Sequence, residues 1–513
     1  MLKYLAVVSS LLLFVEAIQR WHTSQIMLTK LYDMQNDHFN VLDNYLDLET
    51  KRLEELKNYV AAVYEWRDHI NTKKDFLHDH LDVIKVMIQM HQHFFKIDDL
   101  IKNKQSLEAL KDIDEHKDLS GDHILWAHRA LRRLQLFYAI PASDMSAGRL
   151  NEKVIGDRMD ACECCVMAKY CLEGNDPYGV LDWAVEAYGK WESDGRPECV
   201  DSDILNYYIV SSSVYTGFNF MSLINLSRSN YQEYTEQFAR YHRLIKNELF
   251  ALEKERTMDT MEVYNYLMGN KNMNGFRHLC KHGVSRTLTK YSKCRYQTNN
   301  LFYRILMPFK EEDINSEPLI KIYHDVLYDD EILKIKMMSL ANMNDAQVKT
   351  IAGNDSVVQE QTRSGQVYWI NEVDAVEYFD ALNTRIESFT GFSTKTAELY
   401  QIVNYGLGGH YLPHHDPFIK GTENLVFGNR LVTVLFYLTG VQNDGYTAFP
   451  MLNIVTPAER GSALVWNNLH MSNGELCYET LHGSCPLLKG NKWIMTRWLY
   501  EEGQHLPYNW KNK

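Results

Sequence analysis

No stretch after the N-terminus of this 513-residue chain reaches the roughly 18 consecutive apolar residues that a membrane helix requires, so no membrane span is expected. An excess of basic charge is also missing: the formal net charge is -13. Nucleic-acid affinity rests on clustered Lys and Arg, so nucleic acid is not an expected partner. The cysteine-dense segment containing Cys162, Cys164, Cys165 and Cys171 lacks the CxxC spacing of a structural zinc site, and its helical surroundings favour buried helix cysteines instead. Glycine and proline are almost absent from residues 18 to about 150, which excludes a loop-rich or β-rich beginning and predicts helix.

What is present fits a folded, multidomain protein. Hydrophobic residues make up 45% and charged residues 24% of the chain, a globular balance, and the length exceeds what one core accommodates. The opening MLKYLAVVSSLLLFVEA places Lys3 before an apolar run from Leu5 to Val15 and the small-residue pattern ending at Ala17. This reads as a secretory signal peptide over residues 1–17 and predicts a lumenal or secreted protein. The triplets Asn225-Leu226-Ser227 and Asn354-Asp355-Ser356 suit glycosylation on that route. Nine cysteines are an odd number, so at least one stays free or pairs with another chain. Cys280 and Cys294 flank a short basic stretch and are expected to close a loop as a disulfide.

Four regions follow the signal. Residues 18–150 carry Leu42, Leu46, Leu53, Leu56, Val60 and Val63 at alternating steps of three and four, the seam of a coiled coil. This stripe serves either a helix packed within its own domain or a dimer interface. Residues 155–245 contain helix-turn-helix units resembling tetratricopeptide repeats, in which Tyr170, Tyr178, Tyr207, Tyr208 and Tyr215 either pack or line a groove. Such a groove suits proline rings on an extended peptide. Residues 246–310 read as a charged helical link. From 311 to 513 the pattern becomes strand-like, with short apolar runs such as LYQIVNYG, RLVTVLFYL, SALVWNN and KWIMTRWLY broken by turns, which predicts a β-barrel fronted by helices.

The chemistry concentrates in that last region. On a strand His414 and Asp416 project to the same side, and His482 from a distant strand completes a two-histidine, one-carboxylate set. That set occupies one face of iron(II) and leaves the other positions for an oxoacid and dioxygen. Ten residues beyond, Lys492 lies in an apolar strand where an unpaired charge is costly. It either snorkels outward or serves as counter-charge to the distal carboxylate of 2-oxoglutarate. His410 and His415 flank these residues and are not expected to be ligands.

From about Ala397 to Gln504, the segments TAELYQIVNYGLGGHYLPHHD, GNRLVTVLFYLTG, GYTAFP and HGSCPLLKGNKWIMTRWL resemble the catalytic domain of collagen prolyl 4-hydroxylase α subunits. The resemblance extends more faintly along the whole chain. It implies a helical dimerising coiled-coil domain, a tetratricopeptide-like domain that binds peptide substrate through Tyr178, Tyr207, Tyr208 and Tyr215, and a catalytic double-stranded β-helix, or jelly roll. Iron falls on His414, Asp416 and His482 and 2-oxoglutarate on Lys492, with Tyr405 and Thr433 as secondary contacts to the cosubstrate. The implied reaction consumes 2-oxoglutarate and dioxygen, uses ascorbate, and hydroxylates C4 of proline in Xaa-Pro-Gly repeats. An α2β2 tetramer with protein disulfide isomerase in the endoplasmic reticulum lumen is implied as well, consistent with the lack of a terminal KDEL-type signal. Three departures stand out. Tyr500 occupies the family's histidine position near the C1 carboxylate, Cys485 lacks a C-terminal partner and is left to Cys477 or free, and Ser211, Ser212 and Ser213 stand where an aromatic is expected. The alternatives to a collagen hydroxylase are a hydroxylase of other secreted Pro-rich proteins and a non-catalytic peptide-binding subunit.

Overall fold

The structure is a computed structural model and describes residues 25–71, 96, 100, 121–150, 153–154, 157–174, 176–216, 271–283, 293–299, 301–346, 362–370, 376–406, 408–418, 426–441 and 444–506. The signal segment, both glycosylation triplets and residues 217–245 lie outside them. Ile26–Ile124 form one compact unit and Leu125–Lys513 another. Among the described residues no helix is long and apolar enough to cross a membrane.

The first unit is dominated by α1 (Gln25–Asn71). Its predicted stripe stays largely open to solvent, with Leu42, Leu46, Leu53 and Val60 all exposed. In the second unit, α2 (Gly121–Tyr138) and α3 (Ala142–Ser146) lead through the two-stranded β1 (Arg149–Leu150) and β2 (Lys153–Val154) to the antiparallel helices α4 (Ala161–Glu173) and α5 (Pro177–Ser193), followed by α6 (Ser202–Thr216).

Local chemistry sets these helix boundaries. Asp160 caps α4 by accepting from Glu163 N at 2.8 Å, while Glu163 Oε2 accepts from Asp160 N at 2.8 Å, a reciprocal capping box. Asp176 caps α5 by accepting from Gly179 N at 2.9 Å, and Pro177 takes the first helical position, where a missing N–H costs nothing. A Cβ at Gly179 would meet Arg132 Nε and Cys171 Sγ, both at 2.8 Å, so only glycine lets the two helices and α2 approach this closely. Trp183 is fully buried between them and donates from Nε1 to Gln135 Oε1 at 2.9 Å. This helical core continues through Phe276 and Leu279 of α7 (Lys271–His282) to Ala448, Cys485 and Leu488. Tyr138 Oη donates to Pro486 O at 2.6 Å, and Arg277 donates to the carbonyls of Phe137 and Leu136.

The remaining elements are β3 (Cys294–Gln297), β4 (Phe309–Ser316), β5 (Leu319–His324), α8 (Asp329–Leu340), β6 (Asn344–Asp345), β7 (Arg363–Ser364), β8 (Gln366–Ile370), α9 (Val376–Thr390), β9 (Tyr400–Tyr405), β10 (His410–His414), β11 (Arg430–Tyr437), β12 (Thr447–Phe449), β13 (Ile454–Thr456), β14 (Ala463–Asn467), β15 (His482–Ser484) and β16 (Lys492–Tyr500). Their pairing corrects both the expected barrel and the double-stranded β-helix, or jelly roll, that the resemblance implied. Among the described residues these strands form two antiparallel sheets, ordered β13-β12-β15-β10-β7 and β3-β4-β5-β14-β11-β16-β9-β8-β6; neither closes on itself and no strand of one pairs with a strand of the other. Closure needs edge strands long enough to pair. Here β13 has three residues and β7 and β6 have two each, while β3 is held on one side only, by β4. The chain passes from the small sheet to the large one at Gly365, between β7 and β8. A Cβ there would stand 2.9 Å from the Tyr405 ring and 3.0 Å from Asn404 O, so the crossing demands glycine.

The cysteine pairing also differs from expectation. Cys280 is bonded to Cys485, not to Cys294. Cys280 is buried on α7 beside the small sheet, whereas Cys294 opens β3 at the edge of the large one and is exposed, with a free thiol. Cys485 is therefore neither free nor paired with Cys477, which remains a buried thiol. In the cysteine-dense segment Cys164 and Cys171 are buried thiols in α4, but Cys162 is bonded to Cys199, a bridge that sequence spacing did not suggest.

Candidate active site

A cleft with about 430 Å³ of empty space, part of it open to solvent, lies between the sheets. The large sheet contributes Gln401, Val403 and Tyr405 from β9, Thr433 and Leu435 from β11, Trp466 from β14, and Lys492, Ile494, Thr496 and Trp498 from β16. Their step of two is the pleat itself, which sends alternate side chains to one face. From the small sheet come Arg363, Tyr411, His414, Thr447, His482, Gly483 and Ser484.

His414 and His482 sit opposite one another across β10 and β15. Asp416 is not on the strand, which ends at His414; it lies in the bend beyond. Strand alternation therefore does not account for the pairing of 414 with 416. The register of β10 also shifts between Tyr411 and His414. Even so, the ligand atoms of His414, Asp416 and His482 lie within 4.8 Å of one another, with both Nε2 atoms 3.7 Å from Asp416 Oδ1.

Each of the three is held from behind. His414 Nδ1 faces Leu412 O at 2.8 Å and His482 Nδ1 faces Thr480 O at 3.0 Å. A carbonyl only accepts, so each Nδ1 carries the proton and each Nε2 turns a lone pair towards Asp416. Thr433 donates from Oγ1 to Asp416 Oδ2 at 2.5 Å and accepts from Asn468 Nδ2 at 2.8 Å, which leaves Oδ1 for the centre. Arg430 donates to Asp416 O at 3.1 Å, pairs with Glu398, and is sandwiched by the rings of Trp498 and Phe418. Tyr411 stacks on His414 at 3.6 Å, and Trp466 meets His482 edge-on at 4.6 Å.

The electrostatics follow from burial. Burial, with the neighbouring His482 second, pushes His414 down to about 3, so it is a neutral donor. Burial alone would raise Asp416, but His482, His414, Arg430 and the Thr433 hydrogen bond overcome it and hold the carboxyl below its usual range. Lys492 is 1% exposed, and its Nζ donates to Ser484 Oγ at 3.0 Å. Burial pushes it down to about 7, against a smaller upward pull from Asp444.

Of the residues singled out in the sequence, His414, Asp416, His482, Lys492, Tyr405 and Thr433 all line this cleft, and Tyr178, Tyr207 and Tyr208 do not. Tyr178 is exposed, Tyr207 half-buried and Tyr208 packed in the helical core, while the side chain of Tyr215 lies outside the described residues. Tyr500 also stands outside the lining and donates to Glu398 Oε1 at 2.8 Å. His410 opens β10 rather than lying in the preceding glycine loop, with Nδ1 3.1 Å from Gly408 O, and His415 packs edge-on to Tyr478. Sequence reasoning missed Asn468, Arg430, Arg363 and Ser484, whose roles arise from contacts between distant segments. Only the charge of Arg430 at the head of the apolar run RLVTVLFY hinted at any of them.

Two imidazoles and one carboxylate converging on one point, with a buried lysine in the same cleft, are the donor set of the iron(II)- and 2-oxoglutarate-dependent dioxygenases, and residues 400–500 match the model of the 2OG-Fe(II) oxygenase superfamily. Residues 24–152 match the N-terminal region of the prolyl 4-hydroxylase alpha-subunit. The chain is 30% identical to rat prolyl 4-hydroxylase subunit alpha-3 over 428 residues, covering 77% of this chain and 75% of that one. It is 26% identical to Caenorhabditis elegans subunit alpha-2 over 93% of this chain and 92% of the relative, and 27% identical to human subunit alpha-3 over 90% and 89%. The chain belongs to the prolyl 4-hydroxylase alpha-subunit family. It is an enzyme of the dioxygenase class, using iron(II), 2-oxoglutarate and dioxygen.

Proposed function

We propose that the chain hydroxylates proline in Xaa-Pro-Gly repeats of collagen-like chains. The observation that carries this reading is the meeting of His414, Asp416, His482 and Lys492 in one buried cleft, with relatives named prolyl 4-hydroxylase spanning most of the chain. The donor atoms suit iron(II) in number, type and tautomer, and His414, Asp416 and His482 are assigned to hold it. Bound there with 2-oxoglutarate and dioxygen, iron supplies the oxidising power for the C4 hydroxylation.

The chain's own residues bind, orient and exclude water. Lys492 offers a desolvated cation to the distal carboxylate of 2-oxoglutarate, and Ser484 aims it. Tyr405, fully enclosed beside Arg363, completes that end of the cleft. Thr433 acts on Asp416 by fixing the oxygen that does not face the imidazoles. The apolar walls at Val403, Leu435, Trp466 and Ile494 keep bulk water from competing with the cosubstrate.

The remaining assignments belong to the same reading. Residues 18–150 serve as dimerisation domain, 155–245 as peptide-binding domain, 246–310 as link and 311–513 as dioxygenase domain. Tyr178 and Tyr207 keep faces that an extended peptide can meet. Residues 1–17 direct the chain to the endoplasmic reticulum lumen, where it assembles with protein disulfide isomerase as α2β2 and uses ascorbate as accompanying reductant.

The test is to co-express the full chain with disulfide isomerase and supply iron(II), 2-oxoglutarate, ascorbate and Pro-Pro-Gly repeats. Succinate release together with hydroxyproline detected by mass spectrometry is the expected result. Turnover only with other Pro-rich peptides would remove the collagen assignment, and peptide binding without succinate would remove the catalytic one.

A further inference from the structure

Among the described residues, a second group of side chains of metal-ligating type lies outside the cleft lining. The segment between β14 and β15 folds back on itself: Leu469 pairs with Leu476, His470 N donates to Glu475 O at 2.9 Å, Gly474 N donates to His470 O at 2.8 Å, and Cys477 N donates to Asn468 O at 2.9 Å. This hairpin sets His470 on one limb opposite Cys477 and Glu479 on the other. Their ligand atoms lie within 4.8 Å of one another, and Cys477 Sγ is 3.6 Å from Glu479 Oε2. Cys477 is fully buried, His470 half-buried and Glu479 exposed, so the thiol forms the floor of a site whose rim is open to water.

We propose that His470, Cys477 and Glu479 form a second metal site, separate from the iron centre, that takes a zinc-type divalent cation with water as its fourth ligand. The donor types decide the class of ion. Magnesium and calcium prefer oxygen ligands throughout, whereas one thiolate, one imidazole and one carboxylate make a tetrahedral set suited to zinc. The His414, Asp416 and His482 group has no sulfur, so the two sites differ in softness as well as place. The consequence reaches the cleft through the backbone. The hairpin joins Asn468, which donates to Thr433, to His482 itself, and an ion bridging its two limbs would hold both ends of that connection.

The test uses the full chain carrying His414→Ala and Asp416→Ala, which disable the iron centre, and Cys294→Ser, which removes the exposed thiol. Cobalt(II) titration should show one equivalent bound with a near-ultraviolet thiolate-to-cobalt charge-transfer band, and zinc(II) should bleach that band by displacement. Cys477→Ser should abolish it. Glu479→Gln alters an exposed side chain and should weaken cobalt affinity at least about tenfold while leaving the fold intact. Cobalt binding without the thiolate band, a band that survives Cys477→Ser, or unchanged affinity in Glu479→Gln would each overturn the site. If Cys477→Ser fails to fold, the Glu479→Gln titration alone decides. Because iron plays no part in these measurements, their failure leaves the proposed hydroxylase function untouched.

Discussion

The helical layer and the intersheet cleft both bury charge, but they treat it in opposite ways. Between α2 and α5, Arg132 is bound by Asp176 and by Asp182 at 3.2 Å, and buried Lys190 donates to Met159 O at 2.8 Å with Glu186 at 3.8 Å. Both of these buried cations meet a carboxylate. In the cleft, Lys492 is buried still more deeply and its hydrogen bond goes to a neutral hydroxyl, while two histidines and Asp416 turn their donor atoms towards a common point. Internally balanced charge locks helices together. Donor atoms and a lysine gathered in one cleft without such internal pairing are where we propose the chain meets its metal and cosubstrate.

Mutation should separate the two treatments. The largest effect belongs to the cleft: Asp416→Asn or His482→Ala should reduce succinate formation by more than about 100-fold, beyond the 10–100-fold typical of a residue supporting a ligand from behind. Next comes Arg132→Met, which strands Asp176 and should cost about 3–5 kcal/mol of stability by denaturant titration, while iron affinity of the folded fraction stays unchanged. If Arg132→Met instead lowered iron affinity as strongly as Asp416→Asn, the contrast between the regions would fail. Thr433→Val is intermediate. It keeps the shape but frees both Asp416 Oδ2 and Asn468, so iron(II) affinity should fall about 10–100-fold in an equilibrium titration, and an unchanged affinity would deny Thr433 its aligning role.

The residues legible in the sequence were those whose signal is local. The strands around Tyr405, Thr433 and Lys492 show their step of two directly, and β9, β11 and β16 appear where the apolar runs stand. His414, Asp416, His482 and Lys492 could be singled out because polar groups in apolar surroundings need a reason. Contacts between remote segments were not legible. Alternation placed Asp416 on a strand that ends two residues earlier, although the carboxylate reaches the centre from a bend. Proximity in sequence suggested Cys280 with Cys294, but the two lie by different sheets. Barrel closure failed for the same reason: strand content is a local property, whereas edge pairing depends on lengths and registers that only the assembled sheets show. Asn468, which aligns Asp416 through Thr433, carries no sequence pattern at all.

The smallest predicted effect sharpens the comparison through protons. Burial holds Lys492 near 7 in the ligand-free chain, below the ordinary lysine value of 10.5. Between those values the unfolded chain binds a proton that the folded chain does not, so stability from this group rises as pH climbs from about 7 towards 10.5 and is lost as pH falls back through 7. A dicarboxylate set against Nζ reverses the balance by favouring the charged form, and binding must then draw a proton from solution. In a chain loaded with manganese(II) in place of iron, calorimetry of 2-oxoglutarate binding in buffers of different ionisation enthalpy should show close to one proton taken up at pH 8 and almost none at pH 6. Affinity should weaken by up to about tenfold per pH unit above 7, and Lys492→Met should remove this dependence along with most of the affinity. A lysine already neutralised as Arg132 is would show neither proton uptake nor the pH slope. Their absence would mean that Lys492 belongs with the balanced charges of the helical layer.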